Sequence, residues 1–270
     1  MCIFEKMADE PGTVGCFQKR MEMPFRSSLA FTMVELIVVI GIMVLMMALL
    51  VPAFKGIKSG QDITATTYNI AGMLEQARAY AMANNTHVFV GFEETNVSNS
   101  SSVNPQVTGT GRVAVAVVAS RNGTSNYTTI PVATSWTSTY ANGTLLTAIS
   151  PLQHFENMHL SGTALGSTGN MARPPVSSSL QVGNSSFISS TPFDWPLGKA
   201  IGTGQYSFQH VIEFDPQGVA WFQSTTNVNT MVQYLEICLQ QTNGTSVSTG
   251  SNGAAIQIDG MTGSARIYRP

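Results

Sequence analysis

Hydrophobic and polar positions divide the chain into three stretches of different texture. From Leu36 to Phe54 no residue carries a charge and nearly all are apolar. That is about the length a helix needs to cross a bilayer, roughly 20 residues. Beyond Pro52 the pattern changes to a stripe: Ile63, Ile70, Met73, Leu74, Ala77 and Ala81 recur at helical spacing among polar positions. Asn84-Asn85 then supplies a stop. One long helix is predicted, from about Phe31 to Asn84. Pro52 should kink it, because the ring removes a hydrogen bond and crowds the preceding turn. The first half is expected in a bilayer, and the second half on a sheet.

From Thr86 onward the period shortens to two. Runs of β type are His87 to Phe92, Arg112 to Ser120, Tyr206 to Phe214, Gly218 to Gln223, Met231 to Leu239, Ala254 to Ile258 and Ala265 to Arg269. Asp215-Pro216-Gln217-Gly218 reads as a tight turn, so QHVIEFDPQGVAWF is a predicted hairpin. Strands in series after one helix indicate an α+β fold rather than a βαβ one. The polar segments Glu94 to Gly111 and Ser161 to Pro192 are expected to be mobile loops.

A carboxylate stands at the head of the apolar run. Glu35 follows Ala30-Phe31-Thr32-Met33-Val34, just beyond the basic residues Arg20 and Arg26. Next to hydrocarbon it costs roughly 2.5–3.5 kcal/mol on insertion scales, which calls for a reason. A small residue, then FTxxEL, then an apolar helix resembles the prepilin signature of type IV pilins and type II secretion pseudopilins. Further motifs resemble the H-type minor pseudopilins and FimT-type minor pilins: NIAGMLEQARAYAMANNTHVFVGF, EFDPQGVAWF and GSARIYRP. With the large serine-rich insertion, they are also similar to the D proteins of the Verru_Chthon cassette. Residues 97–196 match nothing.

The resemblance implies a pilin-like fold, with one long N-terminal helix, transmembrane in its first half, packed on an antiparallel head. It divides the chain into a leader (1–30), a transmembrane or filament-core helix (31–54), its amphipathic continuation (55–85) and a β-rich head (86–270). It implies cleavage between Ala30 and Phe31 by a prepilin peptidase, and methylation of the new terminus. Glu35, one helical turn from Phe31, would pair with the terminal amine of a neighbouring subunit during assembly. The implied partners are the peptidase, other pilins or pseudopilins, an inner-membrane assembly platform and the membrane itself. The implied location is the inner membrane, single-pass with a periplasmic head, and then a filament. The implied function is that of a minor pilin or pseudopilin. The alternative is a membrane-anchored minor pilin that binds DNA for uptake.

Charge and chemistry narrow this picture. The leader's basic residues (Lys6, Lys19, Arg20, Arg26) and acidic residues (Glu5, Asp9, Glu10, Glu22) cancel, so its removal leaves the net charge at −2. An acidic chain without a basic stripe argues against nucleic acid as a partner. Arg266 and Arg269, near the chain end, are the candidates for DNA contact under the alternative. Cys2 and Cys16 fall in the leader, so Cys238 is left alone and reads as a buried small hydrophobe. His87, His154, His159 and His210 have no zinc spacing. Asp194 and Asp259 are isolated acids, too few for a calcium site. No cofactor, metal or catalytic residue is expected, and the chain does not read as an enzyme.

Overall fold

The run RVAVAVVAS has small and β-branched residues at both odd and even positions, so a strand built from it must be covered on both faces. The computed structural model describes residues 32–125, 145–166, 172–199, 202–222, 231–248 and 252–269, with the side chains of 49–61 left aside. In it this run is β2 (Gly111–Ser120), buried at every position. Val113, Val115, Val117 and Ala119 join one core, and Ala114, Ala116 and Val118 join another.

The elements in chain order are α1 (Met33–Asn84), β1 (Val88–Asn96), β2, β3 (Leu146–Ala148), β4 (Gln153–Ser161), β5 (Phe193–Trp195), β6 (Tyr206–Phe208) and β7 (His210–Phe214). They continue with β8 (Ala220–Trp221), β9 (Tyr234–Asn243), β10 (Ser246–Val247), β11 (Gly253–Asp259) and β12 (Ala265–Tyr268). One ten-stranded sheet runs in the order β12-β11-β9-β4-β2-β1-β7-β8, with β10 on β9 and β3 on β2. All its pairings are antiparallel. The sheet curls as a half-barrel. Its two ends approach one another where the Ala220 amide of β8 donates to the Gly260 carbonyl, between β11 and β12, at 2.9 Å.

The stripe read from the sequence is the buried one. Ile63, Ile70, Leu74, Ala77 and Ala81 are fully buried in the larger core with Val90, Phe92, Ile212, Ile237 and Ile256. Two polar contacts fasten the last strand to the same helix: the Ala265 amide donates to Glu75 Oε1 at 3.0 Å, and Arg269 donates to Thr64 Oγ1. The β5–β6 hairpin forms a separate two-stranded sheet. It packs on the other face of β1, so closely that a Cβ at Gly91 would lie 2.7 Å from Phe193 and Phe208.

Several expectations need correcting. The balance is not that of a pilin-like α+β molecule built on one long, half-transmembrane helix. The dominant element is the curled antiparallel sheet, and α1 contributes a single row to its core. Among the described residues no helix is long and apolar enough to cross a membrane. The single-pass inner-membrane placement is therefore withdrawn.

The helix continues through Pro52, where the chain divides into two compact units, Met1–Val51 and Pro52–Pro270. The run Tyr206 to Phe214 is two strands, broken at Gln209, because β6 leaves the main sheet to pair with β5. The two long polar segments are also tied down where described. Thr95 bridges Thr108, and the Gln106 side chain donates to the Ser100 and Val103 carbonyls. In the second segment Arg173 Nε and Nη2 donate to the two oxygens of Glu236 at 2.8 and 2.7 Å.

Candidate assembly helix and the clefts of the head

The start of α1 is built by Thr32. Its side-chain oxygen accepts the Glu35 amide at 3.2 Å, and its carbonyl accepts the Leu36 amide at 3.2 Å. Thr32 is thus the N-cap and Glu35 the third helical residue, the threonine–glutamate spacing of a capping box. A negative side chain there is also favoured by the helix dipole. The Thr-x-x-Glu spacing of the sequence announces this cap. Ala30 and Phe31, the expected processing residues, lie outside the described residues, as does the side chain of Pro52.

Beyond the cap the helix is apolar on every side and exposed on every side. Leu36, Ile37, Val38, Ile40, Ile42, Met43, Val44, Leu45, Met46 and Met47 are all more than half exposed. Glu35, the only charged residue from Met33 to Phe54, is exposed at its head.

The remaining candidates are scattered over the head, and the structure brings few of them together. Arg266 is exposed on β12, whereas Arg269 is engaged by Thr64, so they do not form a free cationic pair. His87 Nδ1 lies 2.7 Å from Glu213, His159 Nδ1 2.9 Å from Glu94, and His210 Nδ1 donates to the Phe187 carbonyl at 2.6 Å. Burial lowers the pKa of His210 and of His154. Asp259 caps a turn by accepting the Met261 and Thr262 amides at 2.9 and 3.0 Å. Among the described residues no three His, Cys, Asp or Glu side chains converge as a metal site.

Cys238 is fully buried, and its thiol donates to Glu236 Oε1 at 2.9 Å. Burial pushes its pKa up to about 12, so it is the inert residue its strand context predicts. Beside it lies the head's buried ion pair, Arg173–Glu236, with side chains 3% and 1% exposed. The Glu236 carboxylate raises the arginine's pKa.

A cleft of about 420 Å³ opens where β7 begins, lined by Glu93, Glu94, Leu160, Ser207, Gln209 and His210 among others. Glu94 is fully occupied there: it takes the Gly111 and Leu160 amides and His159. Glu93 is different. Burial pushes its pKa up to about 8, the Ser207 amide opposing the shift and the nearby Asp194 charge adding to it. The sequence marked Asp194 but not Glu93, because nothing local shows that β6 will cover it.

No family model, curated protein or solved structure matches this chain.

Proposed function

We propose that this chain is a structural subunit, a minor pilin or pseudopilin, that assembles through its N-terminal helix into a type IV pilus or type II secretion pseudopilus. The observation that carries the reading is the capped helix start followed by apolar surface exposed all round, from Met33 to Met47. A helix of that kind is stable only when covered, and a patch of that size marks an interaction site. Equivalent helices of neighbouring subunits, packed ridge into groove, supply the cover. Glu35 is then the one polar handle in the contact. Cleavage after Ala30 would free an amine on Phe31 for it to meet, and a charge pair of that kind sets register more than stability. A prepilin peptidase and other pilins or pseudopilins are the partners this proposal requires.

Glu35→Gln separates assembly from folding, since glutamine also suits the third position of a capping box. The variant is expected to keep a folded head and to drop out of sheared filaments, assayed by immunoblot of the filament fraction. Incorporation at the wild-type level would remove the assembly role of the charge. Mass spectrometry of the wild-type protein is expected to find Phe31 at the N-terminus. An uncut Ala30–Phe31 bond would count against the prepilin assignment.

A further inference from the structure

Just past the end of β2 the chain gathers its donors on one side-chain carbonyl. Asn122 is exposed, and its Oδ1 accepts three hydrogen bonds. They come from Ser120 Oγ at 2.6 Å, Thr124 Oγ1 at 2.8 Å and the Thr124 amide at 3.2 Å. A backbone amide only donates, so the oxygen of Asn122, and not its nitrogen, faces this group. Ser120 is well anchored at 4% exposure: its amide donates to the His87 carbonyl at 2.8 Å, and its own carbonyl accepts Thr86 Oγ1 at 2.6 Å.

Between Asn122 and Thr124 lies Gly123, exposed, with φ at 71°. It lines an open cleft with Asn85 and Arg121. Apart from its chain neighbours, the nearest atom to a Cβ built there is the Asn85 carbonyl oxygen, 3.8 Å away. Among the described residues no acceptor takes the Gly123 amide.

We propose that Asn122-Gly123 is a self-modification site: the Gly123 nitrogen attacks the Asn122 side chain and converts it, through a cyclic imide, to isoaspartate and aspartate.

The step needs only the chain, hydroxide and water. Hydroxide takes the Gly123 amide proton, and the nitrogen forms a bond to Asn122 Cγ. The carbonyl electron pair moves onto Oδ1. It returns as the Cγ–Nδ2 bond breaks, and Nδ2 leaves as ammonia with a proton from water, which restores the hydroxide. Water then opens the ring at either carbonyl. One product carries the chain through the side-chain carbon as isoaspartate, and the other is aspartate.

The three donors favour that path over the resting amide. An amide oxygen has two lone pairs, whereas the tetrahedral oxyanion has three. Donors fixed in advance around the charge that develops lower the barrier to reaching it. The Asx turn, closed between Asn122 Oδ1 and the Thr124 amide, also draws the side chain over the intervening nitrogen. Glycine at that nitrogen puts no side chain in the way.

The sequence has three other Asn-Gly steps, of which Asn142-Gly143 lies outside the described residues. Neither of the remaining two has this arrangement. Asn243 pairs with Ser246 in the turn between β9 and β10, and among the described residues no donor reaches its side-chain oxygen. Gly253 is buried in β11 opposite Gln240.

The test is incubation of the full chain at mildly alkaline pH, followed by peptide mass mapping with electron-transfer fragmentation to identify isoaspartate. Asn122 is expected to convert at least about tenfold faster than Asn243. Thr124→Val and Ser120→Ala should each slow Asn122 about fivefold, the worth of one exposed hydrogen bond, and leave Asn243 unchanged. In denaturing urea the two steps should converge, because the local sequence alone then sets both rates. The proposal is overturned if Asn122 is no faster than Asn243, if the variants leave its rate untouched, or if its lead survives in urea. Should Ser120→Ala fail to fold, Thr124→Val in the exposed loop decides alone.

Discussion

The two ends of α1 share one backbone conformation and have opposite surroundings. From Ile63 to Ala81 the helix shows its apolar residues on one stripe, and those residues are buried in the curl of the sheet. From Met33 to Met47 it is apolar all round, and its large side chains stand exposed. Amphipathic spacing states which face must be covered and lets the same chain cover it. All-round apolarity states only that a cover is needed, and leaves it to something outside the head. A fold-forming helix and an association helix can thus be told apart by the periodicity of their apolar positions. Substitutions in the head and at the two ends of α1 test how independent they are.

The largest effect belongs to the head alone. Arg173 holds Glu236 with two hydrogen bonds in a dry place and also donates to the Leu165 carbonyl. Arg173→Ala leaves a buried carboxylate without its cation, and should cost the head about 3–5 kcal/mol. The check is a urea midpoint followed by tryptophan fluorescence. Replacing both partners, as Arg173→Met with Glu236→Leu, should recover most of that loss, because the costly state is the half-removed pair. A single variant as stable as wild type would show that the pair is not buried in solution.

The next substitution compares the two ends of α1 directly. Leu74 is fully buried against the sheet, so Leu74→Ala should cost about 2–5 kcal/mol in the same assay. Leu45, 66% exposed, should move that midpoint by less than about 0.5 kcal/mol when changed to Ala. Its effect should appear only in filament incorporation. If Leu45→Ala destabilises the head as Leu74→Ala does, the two ends share one core and the contrast fails.

Much of the head could be read from alternation, and the exceptions have local causes. β2, β11 and β12 emerge near their predicted limits, whereas β1 runs four residues past Phe92, into Glu94–Asn96, which were expected in a loop. The β7–β8 hairpin was legible through Asp215, whose side chain accepts the Gln217 and Val219 amides at 2.9 and 2.8 Å and the Trp221 ring N–H at 2.9 Å. β4 escaped notice because Asn157 interrupts its period. With φ at 59° and a register shift opposite Gly111/Arg112, Asn157 separates the buried residues Phe155 and Met158 by three positions instead of two. The β5–β6 pair was hidden by length, since β5 is three residues. Arg173–Glu236 and Glu93–Ser207 join residues far apart in the chain, and no local pattern announces such partners. At the helix start Thr32 was passed over, although its hydroxyl oxygen accepts the Glu35 amide as the Thr-x-x-Glu spacing announces.

That cap gives the smallest and sharpest prediction. The Thr32 hydroxyl oxygen accepts the Glu35 amide, one of the donors that a helix start leaves unpaired. Thr32→Ala removes the acceptor and should weaken the first turn by about 1 kcal/mol, which is on the order of a fivefold faster amide exchange at Glu35. Thr32→Ser should behave as wild type, because serine carries the same acceptor. Head stability should not move in either variant, since no buried residue of the core precedes Ile63 in the described helix. The informative pairing is with Glu35→Gln. If the cap is Glu35's whole purpose, Thr32→Ala should impair assembly at least as much as Glu35→Gln. If the charge has its own partner in the neighbouring subunit, Glu35→Gln should abolish incorporation while Thr32→Ala only reduces it. The ratio of the two filament yields separates a residue that starts a helix from one that also joins two of them.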